Sequence, residues 1–303
     1  MNSTKPVEIG LLFVRNAFYP LSIMQAIAVA NQKGGVGKTT TSVNLSVGLA
    51  RAGRRVLMVD LDSQAHATLH MGVTPASFSL SAYDVLAKGE SLAAATVPAG
   101  DNLWVVPAHL DLSAIEMHLA GNSGRESILS RKLLEDPRCS GIAADPYDYL
   151  IIDCPPSLGL LSLNAMAAVD DVILPLQPHF LALHGLSKLL QTIETVSEHV
   201  NQNLRLLGVV LCMFEAGTRL ASEIGRDVQE FFESSSTRHR SWEEARLFET
   251  RIRRNIRLAE APSFGQAIFD YACDSNGAED YAAFAAEVDR LLSGGREPVR
   301  CVA

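Results

Sequence analysis

Cysteine, long apolar runs and positive charge are all in short supply here, and each shortage closes off a class of protein. Five cysteines in 303 residues (Cys139, Cys154, Cys212, Cys273 and Cys301) form an odd, scattered set with no Cys-x-x-Cys. That spacing speaks against a disulfide scaffold, a zinc ribbon or a thioredoxin-type motif, and it fits reduced thiols. Cys154, between Asp153 and Pro155, reads as a small buried hydrophobe rather than a redox centre. No apolar run approaches the roughly 20 residues needed to span a bilayer. Eight histidines include no His-Glu-x-x-His. His66 and His70 stand four apart without a third ligand, so they read as a solvated or core-edge pair. With no Gly-x-Ser-x-Gly elbow, serine hydrolase chemistry has no support. The net charge of −8 argues against a globally basic coat for nucleic acid but leaves a local patch open.

What is there is a foldable globular chain. Hydrophobic residues make up 48% and charged residues 20%, enough for a sizeable core and too apolar for disorder. In residues 1–23 a short apolar stretch, Ile9–Val14, lies between Glu8 and Arg15, and no cleavage pattern follows, so no targeting segment is expected. These residues read as an extension the fold does not need, or as an added edge strand over Glu8–Val14.

From Met24 onward, strand-length runs alternate with helical patterns. Strands are predicted at Ala26–Ala30, Arg55–Asp60, Leu103–Pro107, Tyr149–Asp153, Asp171–Leu176 and Leu206–Met213. Helices are predicted at Thr39–Ala52, Leu80–Lys88, Leu112–Gly121, Arg125–Leu134, Leu158–Ala168, Leu183–Val200, Thr218–Phe232 and Ala285–Leu292, with a loop at Ser234–Ser236. Runs this dense in Val, Ile and Leu suit strands buried on both faces. The alternation predicts an α/β fold, a doubly wound, mostly parallel sheet with helices on both faces. No repeat or linker divides the chain, so 24–303 is predicted to form one domain.

Gly34, Gly35, Val36, Gly37, Lys38, Thr39 and Thr40 follow the first strand and open the first helix. Strand, glycine loop and helix in that order make a phosphate-binding loop. Its backbone N–H groups converge on phosphate oxygens, and the helix N-terminus adds its positive end. Lys38 is expected to reach the β- and γ-phosphates, and the Thr39 hydroxyl to bind Mg²⁺. Asp60 and Asp62 lie at the end of one strand and Asp153 ends another, the edge where doubly wound sheets place ligands. At the end of its buried strand Asp153 can hold the water shell of Mg²⁺.

The string begins with Lys33 where the ordinary motif has glycine, and it stands within Ala30-Asn-Gln-Lys-Gly-Gly-Val-Gly-Lys-Thr-Thr-Thr41. With Val59-Asp-Leu-Asp62, Ile151-Ile-Asp-Cys-Pro-Pro-Ser157, Leu163-Asn-Ala165 and Asn255-Ile-Arg-Leu-Ala-Glu-Ala-Pro-Ser-Phe-Gly265, it resembles the deviant Walker A ATPases of the ParA/MinD group. Within that group it resembles the ParA (Soj) partition ATPases, from Met24 to about Leu292. The resemblance implies ATP and Mg²⁺ as cofactors. Lys33 would contact phosphate across a sandwich dimer, Asp62 would position the attacking water, and Asp60 would support the Mg²⁺ side. Departures from the family pattern are Ser63 in place of proline and Ala65-His66 in place of Gly-Asn. His179 and His184 stand where glutamates are common, and Arg253 replaces a proline near the adenine. These changes point to a looser switch loop and leave the base contacts open. Met213 reads as an adenine neighbour or as core.

Seven arginines fall between Arg238 and Arg257: Arg238, Arg240, Arg246, Arg251, Arg253, Arg254 and Arg257. They read either as a solvated helix face laced by Glu–Arg pairs or as a DNA-binding patch. The resemblance favours the patch, formed by Arg238, Arg240, Arg246, Arg251 and Arg254, with Arg219 close to another family DNA contact. It further implies an ATP-dependent homodimer, non-specific DNA binding, and slow hydrolysis stimulated by a ParB-type partner or cargo adaptor. The expected place is cytoplasmic and nucleoid-associated. A MinD-like membrane-surface role would need an amphipathic basic C-terminal helix, which Ser293–Ala303 is too broken by Gly and Pro to make. An ATP-bound scaffold with vestigial turnover is the other alternative.

Overall fold

The apolar runs assemble into one sheet because each is apolar on both sides and needs two layers of helix to cover it. The computed structural model describes residues 24–179, 182–215, 217, 219–235 and 240–293. Its strands are β1 (Gln25–Val29), β2 (Val56–Asp60), β3 (Val97–Gly100), β4 (Leu103–Val106), β5 (Tyr149–Asp153), β6 (Asp171–Leu176), β7 (Arg205–Phe214) and β8 (Arg246–Arg253). They lie in the order β3-β4-β2-β5-β1-β6-β7-β8, and only β3 runs antiparallel to its neighbour. Its α-helices are α1 (Lys38–Arg51), α2 (His66–His70), α3 (Ala82–Ala87), α4 (Leu92–Ala95), α5 (Ile115–His118) and α6 (Ile128–Glu135), followed by α7 (Leu160–Ala168), α8 (Ala182–His199), α9 (Arg219–Ser235), α10 (Ile256–Glu260), α11 (Ile268–Tyr271) and α12 (Asn276–Ser293).

Strand periodicity sorts the core into two layers. Along β1, Ala26 and Ala28 join one apolar layer, with Leu189, Ile193 and Val228 from α8 and α9. Ile27 and Val29 join the other, with Leu45 and Leu49 of α1 and Phe284 and Val288 of α12. Because β1 lies between β5 and β6, the chain leaves it in one direction and later returns on the other side. That reversal opens a crevice at the C-terminal strand ends, where β1, β2 and β5 deliver their loops.

The structure departs from the sequence expectations at several points. The helix expected over Leu112–Gly121 is a 3₁₀ segment, Leu110–Ala114, followed by the single turn of α5. Only Ile128 onward of Arg125–Leu134 is α-helical. The loop expected at Ser234–Ser236 is still helix through Ser235, and the last helix begins at Asn276 rather than Ala285. Two strands were not foreseen, β3 and β8. Within the arginine-rich segment, Arg246–Arg253 is therefore an edge strand in parallel register with β7, while Arg257 lies on α10. Alternation hides in β8 because its register slips between Leu247 and Arg251, leaving Phe248 and Ile252 as its buried residues. Backbone groups freed by the slip are satisfied from α12. Glu249 N and Thr250 N donate to the two Glu287 carboxylate oxygens at 2.8 and 2.9 Å, and Arg253 N donates to Asp280 at 2.8 Å. Residues 1–23, the Glu8–Val14 strand and Cys301 lie outside the described residues, as do the side chains of His184, Arg219, Arg238 and Arg240.

Candidate nucleotide site

The loop after β1 is built on Asn31. Its amide donates to Pro175 O of β6 at 2.7 Å, and its side-chain oxygen accepts from Lys33 N at 3.0 Å. Val36, buried, anchors the loop from below. Gly35 and Gly37 take φ of 74° and 93°, the left-handed region in which a side chain is strained. Gly37 caps α1 with no side-chain acceptor, and the first turn of α1 carries no acidic residue. Its orphan N–H groups thus face the loop, a ready site for an anion.

Lys38 is almost fully buried and donates to the Lys33 carbonyl at 3.1 Å. Burial lowers its pKa, while Asp153, Cys154 and Asp62 pull it back up. The Thr39 hydroxyl donates to Asp153 Oδ2 at 2.9 Å, and the Ser42 hydroxyl lies 2.7 Å from Asp153 Oδ1. With its hydrogen given to Asp153, the Thr39 oxygen keeps lone pairs for a cation. Asp60 and Asp153 are register partners on β2 and β5, and both are fully buried. Burial pushes the Asp153 carboxyl up and Asp60 adds to the effect, opposed by Ser42, Thr39 and Lys38. Burial raises Asp60 too, against its hydrogen bonds to Thr68 and Asp62. Hard oxygen donors that resist ionisation without a counter-charge suit Mg²⁺ beside a phosphate chain. The residues present fit that pair of cofactors.

The two carboxyls point to different work. Asp153 faces the P-loop hydroxyls. Asp60 turns to the next loop, accepting from Asp62 N at 3.0 Å, Thr68 N at 2.9 Å and the Thr68 hydroxyl at 2.7 Å. Asp62 is half-buried and accepts from Gln64 N at 3.0 Å. Ala65, where glycine is usual in the family, has φ 53°. Met213, next to last in β7, is half-buried at φ 52°, and the neighbouring Cys212 packs beneath Gly37. Lys33 is exposed, its ammonium 2.5 Å from His179 Nε2.

The site thus gathers Lys33, Lys38, Thr39, Asp153 and Asp60, with Asp62 on the adjoining turn. Sequence reasoning passed over Asn31, Ser42 and Thr68. Ser42 had a signal, since it follows Thr39 by three residues on one helix face. Asn31 lies within the family-like string, but its bond to Pro175 had no signal, because that partner is distant in the chain.

The arginines do not form one uniform patch. Arg253 reaches Asp280 and Glu279, both at 2.6 Å, Arg254 meets Glu215 at 2.9 Å, and Arg257 meets Glu260 at 2.9 Å. Arg246 and Arg251 are exposed, with the Arg251 guanidinium 4.8 Å above the Phe214 ring.

Among the described residues no helix is long and apolar enough to cross a membrane. A family described as an AAA domain matches residues 24–206. The chain is 42% identical over 266 residues to the sporulation initiation inhibitor protein Soj of Bacillus subtilis, covering 86% of this chain and 97% of that one. It is 40% identical over 267 residues to the chromosome partitioning protein ParA of Caulobacter vibrioides, covering 88% and 94%. Among solved structures, the cobyrinic acid a,c-diamide synthase of Mycobacterium smegmatis with bound ATP analog and magnesium superposes with TM-score 0.72 at 33% identity, covering 90% and 98%. A phosphate loop whose hydroxyl and carboxylate donors suit Mg²⁺, met by relatives of this closeness along most of the chain, places it: the chain belongs to the ParA/Soj family of P-loop ATPases, enzymes that bind ATP with Mg²⁺ and hydrolyse it.

Proposed function

We propose that this ATPase is a partition protein that dimerises on ATP, binds DNA without regard to sequence, and is released when a partner of the ParB type stimulates hydrolysis. The observation that carries the dimer is Lys33. Its backbone is tied at both ends, by Asn31 and by Lys38, while its side chain is exposed and its ammonium rests on His179 rather than on its own loop's backbone. Names of the relatives, a chromosome partitioning protein among them, support the cargo class.

ATP and Mg²⁺, when bound, supply the phosphoryl group and a cation to offset its charge. The α1 N–H groups and Lys38 hold the phosphates. Thr39, oriented by Asp153, ligates the metal, and Asp60 fixes the turn that carries Asp62. Asp62 orients water, Lys33 adds charge from the facing subunit, and Met213 borders the base. Residues 24–303 act as one unit. Arg246 and Arg251 lead the DNA contact, with Arg219, Arg238, Arg240 and Arg254 as further candidates. A dimer brings two such surfaces to one duplex, so binding requires ATP and falls steeply between about 50 and 200 mM salt.

The test joins two variants. Lys33→Ala should bind ATP yet fail to dimerise in light scattering. Arg246→Glu with Arg251→Glu should dimerise yet lose DNA in a gel shift. Normal dimerisation of the first removes the sandwich reading; full DNA affinity of the second moves the DNA surface elsewhere.

A further inference from the structure

The Lys33–His179 contact joins the P-loop to the segment after β6, and the frame around it is rigid. Lys33 N is held by Asn31, the Lys33 carbonyl by Lys38, and Asn31 bonds Pro175 near the end of β6. His179 follows β6 by three residues, so one buried asparagine sets the spacing of both loops. Only the four-carbon stem of Lys33 is left free to move. At 2.5 Å the Lys33 ammonium and His179 Nε2 are joined by one hydrogen bond. The ammonium can only donate, so Nε2 accepts and the ring is neutral, with its hydrogen on Nδ1.

We propose that His179 is the resting seat of Lys33, a positioning residue whose neutral imidazole holds the ammonium over its own P-loop until a second, ATP-loaded copy offers phosphate oxygens. This rests on reading Lys33 as a group that acts across the dimer. A neutral nitrogen is a weaker acceptor than a charged phosphate oxygen, so the handover runs downhill. A carboxylate in the same seat would compete with it. Protonating His179 removes the acceptor and sets two cations together, which frees Lys33. Burial and Lys33 both hold the imidazole below its ordinary value, so the seat stays filled at neutral pH and empties in acid. Of the charged groups nearby, Lys33 acts on His179, whereas Asp153 and Asp62 act on Lys38.

The experiment measures the ATP concentration for half-maximal dimerisation of the full chain, by light scattering, from pH 5.5 to 8. His179→Ala should lower it about threefold at pH 8, and the gap to the parent should close toward pH 5.5. His179→Glu should raise it about fivefold across the range. His179→Gln, a neutral acceptor that does not titrate, should match the parent at pH 8 and keep that value in acid. Asp60 and Asp153 titrate in every variant and cancel in the differences. If all three variants follow the parent while Lys33→Ala fails to dimerise, the seat is wrong and the dimer reading stands. Should Lys33→Ala itself dimerise normally, both fall.

Discussion

Buried carboxylates meet backbone and cation at two places, the crevice at the ends of β2 and β5 and the sheet edge at β8, and they are left in opposite states. At the edge, Glu287 and Asp280 receive the N–H groups of Glu249, Thr250 and Arg253 and the Arg253 guanidinium, so the demand of each is met. In the crevice, Asp60 and Asp153 lie side by side with burial raising both, and Lys38 nearby is pushed down. The edge is an interaction completed at folding. The crevice is completed only when phosphate and a cation arrive, and that unspent demand is what a nucleotide site needs. One region should therefore answer to mutation in stability, the other in ligand binding.

The largest expected effect is in the crevice. Lys38→Ala should weaken ATP binding on the order of 1,000-fold, because the phosphates lose a buried, charge-assisted donor. Its urea midpoint should stay near the parent's, since a desolvated ammonium has been removed. A large drop in that midpoint would make Lys38 a structural residue and erase the contrast.

Next comes the edge. Glu287→Ala leaves two part-buried N–H groups without their acceptor and should cost about 2 kcal/mol of unfolding free energy. Glu287→Gln, which keeps one acceptor, should recover about half. Both should bind ATP as the parent does below their melting range.

His70 sharpens the comparison from a third side. It is buried with Nε2 unpartnered, and burial pushes its pKa down to about 4, against a hydrogen bond with the Gln266 backbone. Its contribution to stability is complete above 6.5 and is lost as pH falls toward 4, because the unfolded chain takes up a proton that the folded one refuses. Asp60 and Asp153, raised in the fold, pull the opposite way. Set against His70→Gln, the parent should thus lose about 2 kcal/mol more between pH 7 and pH 5. Parallel pH curves for the two would show that His70 charges within the fold.

The smallest effect sits in the switch turn. Ala65 occupies a left-handed conformation that glycine adopts freely, so Ala65→Gly should stabilise the chain by about 1 kcal/mol. A lower melting temperature would place the strain elsewhere.

Much of this molecule was legible before its structure. Runs such as Tyr149–Asp153 and Asp171–Leu176 are dense in Val, Ile and Leu and end in or begin with aspartate, and they form strands at those bounds. The Lys33–Thr40 string is local too, since a loop that grips phosphate is made from its own backbone. Its placement between a strand and a helix could be read along the chain.

Other features were decided only in three dimensions. β8 is a strand because Glu287 and Asp280, some 30 residues downstream, accept the N–H groups that its slipped register leaves free. Arg253 and Arg254 look alike in sequence to Arg246 and Arg251, yet only packing gave the first two their carboxylate partners, whereas Arg257 pairs with Glu260 three residues on in its own helix. The same holds for Asn31 with Pro175 and for Lys33 with His179, pairs more than 140 positions apart. Local periodicity reports which surface a residue must bury; which partner then satisfies its polar groups depends on chain returning from far away, and that is settled only by the tertiary fold.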